Sequence, residues 1–146
     1  MSEISYFNPT QRPLNLIMKV KEPVAEHAQK LRAMLKMTTP DGLNAVGTVH
    51  FGRFFFLEND TRFCVITSYD GTLRSYIQDF VNEVSATFNA LLSCVEVPEG
   101  VVPVQRNAER FYQFVEEHNA ATDLFYCAYP KMSVLQILED AKSGGV

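Results

Sequence analysis

Two aromatic-rich segments joined by a short polar stretch most constrain the fold of this chain. Residues 46–57 and 62–69 are rich in β-branched and aromatic residues, and the polar sequence between them, Glu58-Asn59-Asp60-Thr61, fits the tip of a hairpin. Strict alternation along the first strand predicts two sets, Val49, Phe51, Phe55 and Leu57 on one face and Thr48, His50, Phe54 and Phe56 on the other. Both faces therefore carry large apolar side chains.

Periodicity in the rest of the chain predicts an α+β fold of the ferredoxin-like type. The predicted elements are a strand over 14–21, a helix over 23–37, the hairpin, a long helix capped by Thr72, a short helix beginning at Asn107, a fourth strand over 123–129 and a last helix over 134–141. This β-α-β-β-α-β order with extra helices predicts one four-stranded antiparallel sheet with both main helices on one face. We expect residues 1–146 to form a single domain, with 1–13 as an N-terminal arm and 142–146 as a flexible tail.

The apolar character of both sheet faces predicts an assembly. A sheet that is covered by helices on one side is usually polar on its open side, and a large exposed apolar patch is a liability. A second copy of the same sheet, related by a two-fold axis, is the simplest cover. The space between two such sheets would suit a small apolar or aromatic molecule.

The net charge and the cysteines limit which binding partners and which cellular compartment we expect. The formal net charge is -4 without a basic block, so nucleic acid is not expected as a partner. All three cysteines, Cys64, Cys94 and Cys127, lie in apolar runs, which favours buried free thiols in a reducing cytoplasm. No run is long and apolar enough to span a bilayer, and the N-terminus lacks the plan of a signal peptide, so no membrane association is expected.

Two polar residues inside the apolar hairpin, His50 and Arg53, are the candidate catalytic residues. They are three residues apart, so they converge only if the strand is bulged, and Gly52 between them is the expected place. On the functional hypothesis His50 is the general acid or base, Arg53 holds an anion and Asp70 orients one of them. On the structural hypothesis His50 bonds a backbone carbonyl and Arg53 pairs with Asp70 or Glu58.

Four aromatic residues are the expected ligand contacts, namely Phe54, Phe56, Tyr69 and Tyr126. For Tyr126, packing in the core or in a dimer interface is the alternative. No pair of histidine, cysteine or carboxylate residues has a metal-ligand spacing, so neither a metal nor another cofactor is expected.

The segments His-Phe-Gly-Arg-Phe (50–54) and Ser-Tyr-Asp-Gly (68–71) resemble the dimeric α+β barrel superfamily. Within it they resemble uncharacterised bacterial members with an HFxRF…DG hairpin, over roughly residues 14–130. The superfamily includes cofactor-free monooxygenases, small isomerases and decarboxylases, and haem enzymes. The resemblance implies a homodimer that binds a small apolar or aromatic molecule, with oxygenation or proton transfer as the reaction. The alternatives are a non-catalytic binding module and a haem-binding member, although the haem-ligand motifs of chlorite dismutases and dye-decolourising peroxidases are not matched here.

Overall fold

Three antiparallel strands form the sheet of the computed structural model, which describes residues 5–143. They are β1 (Arg12–Lys19), β2 (Val49–Leu57) and β3 (Arg62–Tyr69), in the order β1-β3-β2. The helices are α1 (Val24–Lys36), α2 (Asp41–Val46), α3 (Leu73–Leu92), α4 (Ala108–His118) and α5 (Val134–Ser143), with a short 3-10 turn at Val104–Arg106. The predicted α+β fold of ferredoxin-like order is confirmed, but it has one strand fewer than expected.

The core lies between the sheet and the helices on one of its faces. Alternate residues of β1 and β3 point into it, as do apolar residues of α1, α3 and α4; its fully buried members include Leu16, Met18, Leu31, Phe63, Val65, Leu92, Phe111 and Val115. All three cysteines are free and buried, as predicted, and burial raises the pKa of the Cys64 thiol. None of the helices within residues 5–143 is both long enough and apolar enough to cross a membrane.

Local signals in the sequence account for several element boundaries. The side chain of Thr72 accepts a hydrogen bond from the backbone N–H of Ser75 at 3.1 Å, which begins α3 as predicted. Ser133 and Gln136 form the predicted capping box at α5, with reciprocal bonds of 2.9 and 3.2 Å. The polar hairpin tip is also confirmed, and Glu58, Asn59 and Asp60 all have positive φ there.

The predicted fourth strand over 123–129 is wrong. Its place beside β1 is taken by two single bridges, Val95 with Val20 and Asn119 with Leu16. Residues 126–130 instead follow the N-terminal arm, where the N–H of Cys127 donates to the carbonyl of Tyr6 at 2.8 Å and that of Thr10 donates to Pro130 at 2.7 Å. Because other backbone already occupies the edge of β1, the apolar 123–129 segment has no edge left to join there.

The predicted termini also differ in detail from the structure. Residues 5–10 of the arm are tied to the 126–130 segment, and residues 12 and 13 belong to β1. At the other end, residues 142 and 143 belong to α5 rather than to a tail. The remaining predicted arm and tail residues, 1–4 and 144–146, lie outside the described residues.

Candidate functional site

A cavity of about 380 Å³ opens on the helix side of the sheet. Its walls come from the end of α1, from α2, from the middle of α3 and from Phe54 on β2; they include Met34, Leu35, Met37, Thr38, Thr39, Leu43, Phe80, Val84, Thr87, Phe88, Ala90 and Leu91. We call this space the helix-side cavity. Its size and its apolar, partly aromatic walls are typical of sites for small molecules.

Backbone irregularity marks the same place. The sequence predicts one continuous period along α3, but the helix is kinked at Val84, which has φ −133° and ψ 24°. Across the cavity, Gly42 of α2 approaches the kink so closely that a Cβ atom there would lie 2.6 Å from the Cγ1 of Val84. Kinks in helices have local causes and are frequent near binding sites. The kink and the glycine together shape one wall of the cavity.

The helix-side cavity offers hydroxyl groups but no acid or base. No titratable side chain of residues 5–143 lines it. Thr38 donates its hydroxyl to the carbonyl of Met34 at 3.0 Å, while the hydroxyls of Thr39 and Thr87 make no hydrogen bond within the described residues. A bound molecule would therefore meet apolar walls with a few hydroxyl groups at the edge.

The four predicted ligand contacts occupy different places. Phe54 lines the helix-side cavity. Phe56 packs against the core beside Phe63, with the guanidinium of Arg32 4.2 Å from its ring centre. The structure therefore brings one of these two β2 aromatics to the cavity, although strict alternation assigns both to the same face.

The two predicted tyrosine contacts are not in the helix-side cavity. Tyr69 is a buried core residue that stacks on Tyr76 with 4.2 Å between ring centroids, and burial raises the pKa of its phenol. Tyr126 is 61% exposed and contacts Tyr6 and Phe7 at the surface. The strand face that carries Tyr69 is covered by helices, and the sequence alone does not show which face the helices cover.

β2 contains a bulge, but it lies at His50 rather than at the predicted Gly52. The partner of Val49 on β3 is Tyr69 and that of Phe51 is Ser68, so His50 is the extra residue. From Phe51 onward the alternation is regular again, and Phe51, Arg53, Phe55 and Leu57 share the face away from the helices. Val49, expected on that face, packs instead against the helix-side core.

The bulge brings His50 to Asp70. The Nε2 atom of His50 lies 2.7 Å from Oδ1 of Asp70, and the His50 side chain is only 3% exposed. The second carboxylate oxygen of Asp70 accepts the backbone N–H of Val134 at 2.8 Å, at the first residue of α5. The Asp70 carboxylate thus contacts both the His50 ring and the first residue of α5, while its role in chemistry stays a prediction. The structural hypothesis expected a backbone carbonyl as the partner of His50, and that detail is wrong.

Arg53 does not join this pair. It lies on the open face of the sheet, exposed, with its guanidinium carbon 5.9 Å from the ring centre of Phe55. No hydrogen bond or ion pair within residues 5–143 connects it to His50, Asp70 or Glu58. Of the three predicted site residues, His50 and Asp70 form a pair and Arg53 lies apart. None of the three lines the helix-side cavity.

The walls of the helix-side cavity do not fit a haem group. No histidine, cysteine or tyrosine of the described chain lines the helix-side cavity, so the usual axial ligands are missing from its walls. Two methionines, Met34 and Met37, do line it, but in haem proteins a methionine ligand accompanies a histidine, and no described histidine is present in these walls. Within residues 5–143, no group of three or more histidine, cysteine or carboxylate side chains is placed to hold a metal ion.

Comparisons with known proteins give a distant likeness in fold. Neither models of known protein families nor curated proteins match the chain. Among solved structures, it is similar to a protein from Nitrosomonas europaea described as a "putative antibiotic biosynthesis monooxygenase". The two chains are 11% identical with a TM-score of 0.48, over 64% of this chain and 88% of that one. A likeness this distant does not assign an activity.

Proposed function

We propose that this chain binds a small apolar or aromatic molecule in the helix-side cavity, and that it does so as a homodimer. The observation that carries the binding role is the cavity itself, at about 380 Å³ with walls of Met, Leu, Phe and Val side chains. The hydroxyls of Thr39 and Thr87, which form no hydrogen bond with other residues of 5–143, favour a ligand with one or two oxygen atoms on an otherwise apolar frame.

The separation of the polar residues from the cavity favours binding over catalysis there. General acid–base chemistry needs a titratable group within hydrogen-bond reach of the reacting atom. His50, Arg53 and Asp70 are all outside the cavity walls, and no other titratable side chain of the described residues replaces them. Of the three functions open from the sequence, the non-catalytic binding module is the one we favour for this site.

The cavity is tested with 1-naphthol, an aromatic molecule with a single hydroxyl. Binding at 100 times its Kd should stabilise the protein by about 2.7 kcal/mol, which calorimetry detects as a higher Tm. In methyl NMR spectra, Met34 and Met37 should shift on binding, while Met18, buried on β1, serves as the internal reference.

A matched pair of substitutions on α3 separates cavity binding from general surface binding. Ala90 lines the cavity, whereas Ala86, one turn earlier and also exposed, does not. Ala90→Leu should reduce 1-naphthol affinity at least tenfold, and Ala86→Leu should leave it unchanged. Equal affinities for both variants, or shifts at Met18 alone, would reject the cavity as the site.

The homodimer is proposed from the open face of the sheet. Phe51 is 72% exposed and Leu57 is 43% exposed there, and Phe55 lies between them. Because the strands are apolar on both faces, we expect this surface to be covered. A second sheet in a dimeric α+β barrel would cover it. Light scattering should give twice the chain mass at micromolar concentration; a monomer throughout that range contradicts the proposal.

Proton transfer at His50 is the second candidate, favoured by the 2.7 Å contact with Asp70. A carboxylate at Nε2 fixes the orientation of the ring, as the partner of a general base does. The probe 5-nitrobenzisoxazole reports proton abstraction from carbon. Wild-type turnover above buffer that His50→Gln abolishes would support this candidate, and equal rates would remove it.

A further inference from the structure

α5 packs only lightly on the rest of the described residues, with Val134 and Ile137 half-buried and its other residues exposed. It has ten residues and none of them is buried. Leu135 and Leu138 are 69% and 55% exposed, although the capping box and Asp70 fix the start of the helix. Isolated helices this short are marginal in water, and most helices in proteins are stabilised by burying an apolar side. An exposed leucine pair on such a helix therefore indicates a surface that is covered in the assembly.

The open face of the sheet carries a matching stripe along β2. Phe51, Arg53 and Phe55 follow one another at every second residue on this face, about 6.6 Å apart. On α5, Leu135, Leu138 and Glu139 are related by three and four positions, so they share one side of the helix at about 5–6 Å spacing. The side of α5 thus presents two apolar groups with the carboxylate of Glu139 beside Leu138 and the amine of Lys142 in the last turn, whereas the β2 stripe presents two apolar groups with one cation, Arg53.

Arg53 and Glu139, the opposite charges on these two surfaces, have no ion-pair partner within residues 5–143. Among the described residues, no carboxylate forms an ion pair with Arg53, and no basic group pairs with Glu139. α5 carries two carboxylates, Glu139 and Asp140, against one amine, Lys142. The neighbouring charges of the sheet face, Lys19 and Arg62, are already paired with Glu96 and Glu58. Arg53 is therefore the free cation of this part of the face.

We propose that α5 of one copy packs across the β2 stripe of a second copy. Leu135 and Leu138 cover Phe51 and Phe55, and Glu139 pairs with Arg53. The exchange is reciprocal about a two-fold axis, so two helices cover two stripes. A second copy is the occupant because each chain leaves both complementary surfaces exposed at once. The inference rests on the homodimer proposed above and adds which parts of the chain form it.

Mixed cross-linking between two variants that each carry one added cysteine tests this packing directly. Phe51→Cys and Leu138→Cys proteins are mixed and oxidised, and the mixed disulfide dimer is quantified by mass spectrometry. It should form at least tenfold faster than in a control mixture of Phe51→Cys with Asp140→Cys, because Asp140 lies on another side of α5. The three natural cysteines are buried, and wild-type protein gives the background rate.

Three other results overturn the packing in distinguishable ways. If the chain that carries both Phe51→Cys and Leu138→Cys forms its disulfide within one molecule, α5 folds onto its own sheet. If the protein is dimeric but the mixed rate equals that of the control, the homodimer stands and the α5 contact fails. If the wild type is a monomer by light scattering, both proposals fail together, while binding of 1-naphthol is unaffected.

A charge exchange tests the Arg53–Glu139 pair separately. Arg53→Glu should raise the dimer Kd about tenfold because the new carboxylate faces that of Glu139, and Glu139→Arg in the same chain should restore the affinity. Asp140→Arg in the Arg53→Glu chain is the matched control and should restore less. Equal restoration by both second changes would show a general charge effect rather than the proposed contact.

Discussion

The two faces of the sheet carry side chains of similar size but differ in how they are covered. On the helix side, Leu16 and Phe63 are fully buried beneath the helices. On the open side, Phe51 is 72% exposed, although it belongs to the same hairpin and is as apolar. Hydrophobic side chains therefore show which strands can be buried on both faces, whereas the path of the rest of the chain decides which face is buried within one molecule.

This difference separates two roles. The covered face holds the cavity in which we place ligand binding, and the open face holds the surfaces that we assign to assembly. Asp70 connects the two regions, since it follows β3 and holds both His50 and the first residue of α5. The predictions below test how distinct the two faces are.

The largest expected effect comes from truncating one phenylalanine on each face. Phe63→Ala should lower the free energy of unfolding by about 3–5 kcal/mol because it leaves a cavity in the core. Phe51→Ala should change it by less than about 0.5 kcal/mol under monomeric conditions, since its ring is exposed. Urea unfolding at low protein concentration measures both. Similar losses would mean that the open face is covered within a single chain.

A pair of glycines tests the packing of the covered face near the cavity. Gly42→Ala should destabilise the fold by about 1–3 kcal/mol, because the added Cβ meets the side chain of Val84 at 2.6 Å. Gly52→Ala is the control, since its Cβ would have ordinary contacts at 3.7 and 3.8 Å with Thr67 and Phe54. If thermal unfolding shows no loss for Gly42→Ala, the kinked segment of α3 yields easily, and the wall of the cavity is soft.

A tyrosine pair tests the covered face through pH. Burial raises the pKa of Tyr76, whose hydroxyl lies 2.9 Å from that of Thr67. The native state therefore keeps this proton to higher pH than the unfolded state, and stability is lost as pH rises above about 10, by at most about 1.4 kcal/mol per pH unit. Tyr76→Phe should reduce this slope in urea titrations between pH 9 and 11. The same slope in Tyr76→Phe and the wild type would contradict the assignment, and Tyr126→Phe at the surface is the control.

The smallest expected effect is on the stability of the first turn of α5, where Asp70 connects the two faces. Asp70→Ala removes the acceptor of the Val134 N–H, which acts like a cap worth about 1 kcal/mol. Amide hydrogen exchange in the first turn of α5 should become about fivefold faster, while exchange in β3 stays the same. Faster exchange throughout the sheet would instead make Asp70 a support of the whole hairpin. His50→Gln retains a donor and should have a smaller effect.

Local rules in the sequence predict much of the fold. The hairpin tip, the Thr72 cap and the Ser133–Gln136 capping box depend on residues within a few positions, and the structure confirms them. The fourth strand failed because its pairing depends on a distant event. Val95 and Asn119 occupy the edge of β1, and nothing in the 123–129 sequence records that.

The candidate site was less predictable than the fold. His50, Arg53 and Asp70 were recognised as polar residues in apolar surroundings, but a bulge placed one residue away from Gly52 decides which of them meet. The helix-side cavity depends on the kink at Val84 and on α2, and neither has a strong periodic signal. Phe54 was expected to contact a ligand and does line the cavity, although the expected cavity was between two sheets. Its helix-side location could be found only from the packing of α1, α2 and α3 around it.

The two bridges beside β1 also limit how this sheet can grow. Backbone from Cys94, Glu96 and Ala120 binds along that edge, so an additional strand cannot align there without displacing it. Along the outer edge of β2, in contrast, no strand from residues 5–143 is paired. A sheet with a single unprotected edge can join one other such edge and then has none left. Growth of the folded sheet by strand addition would therefore end at two molecules.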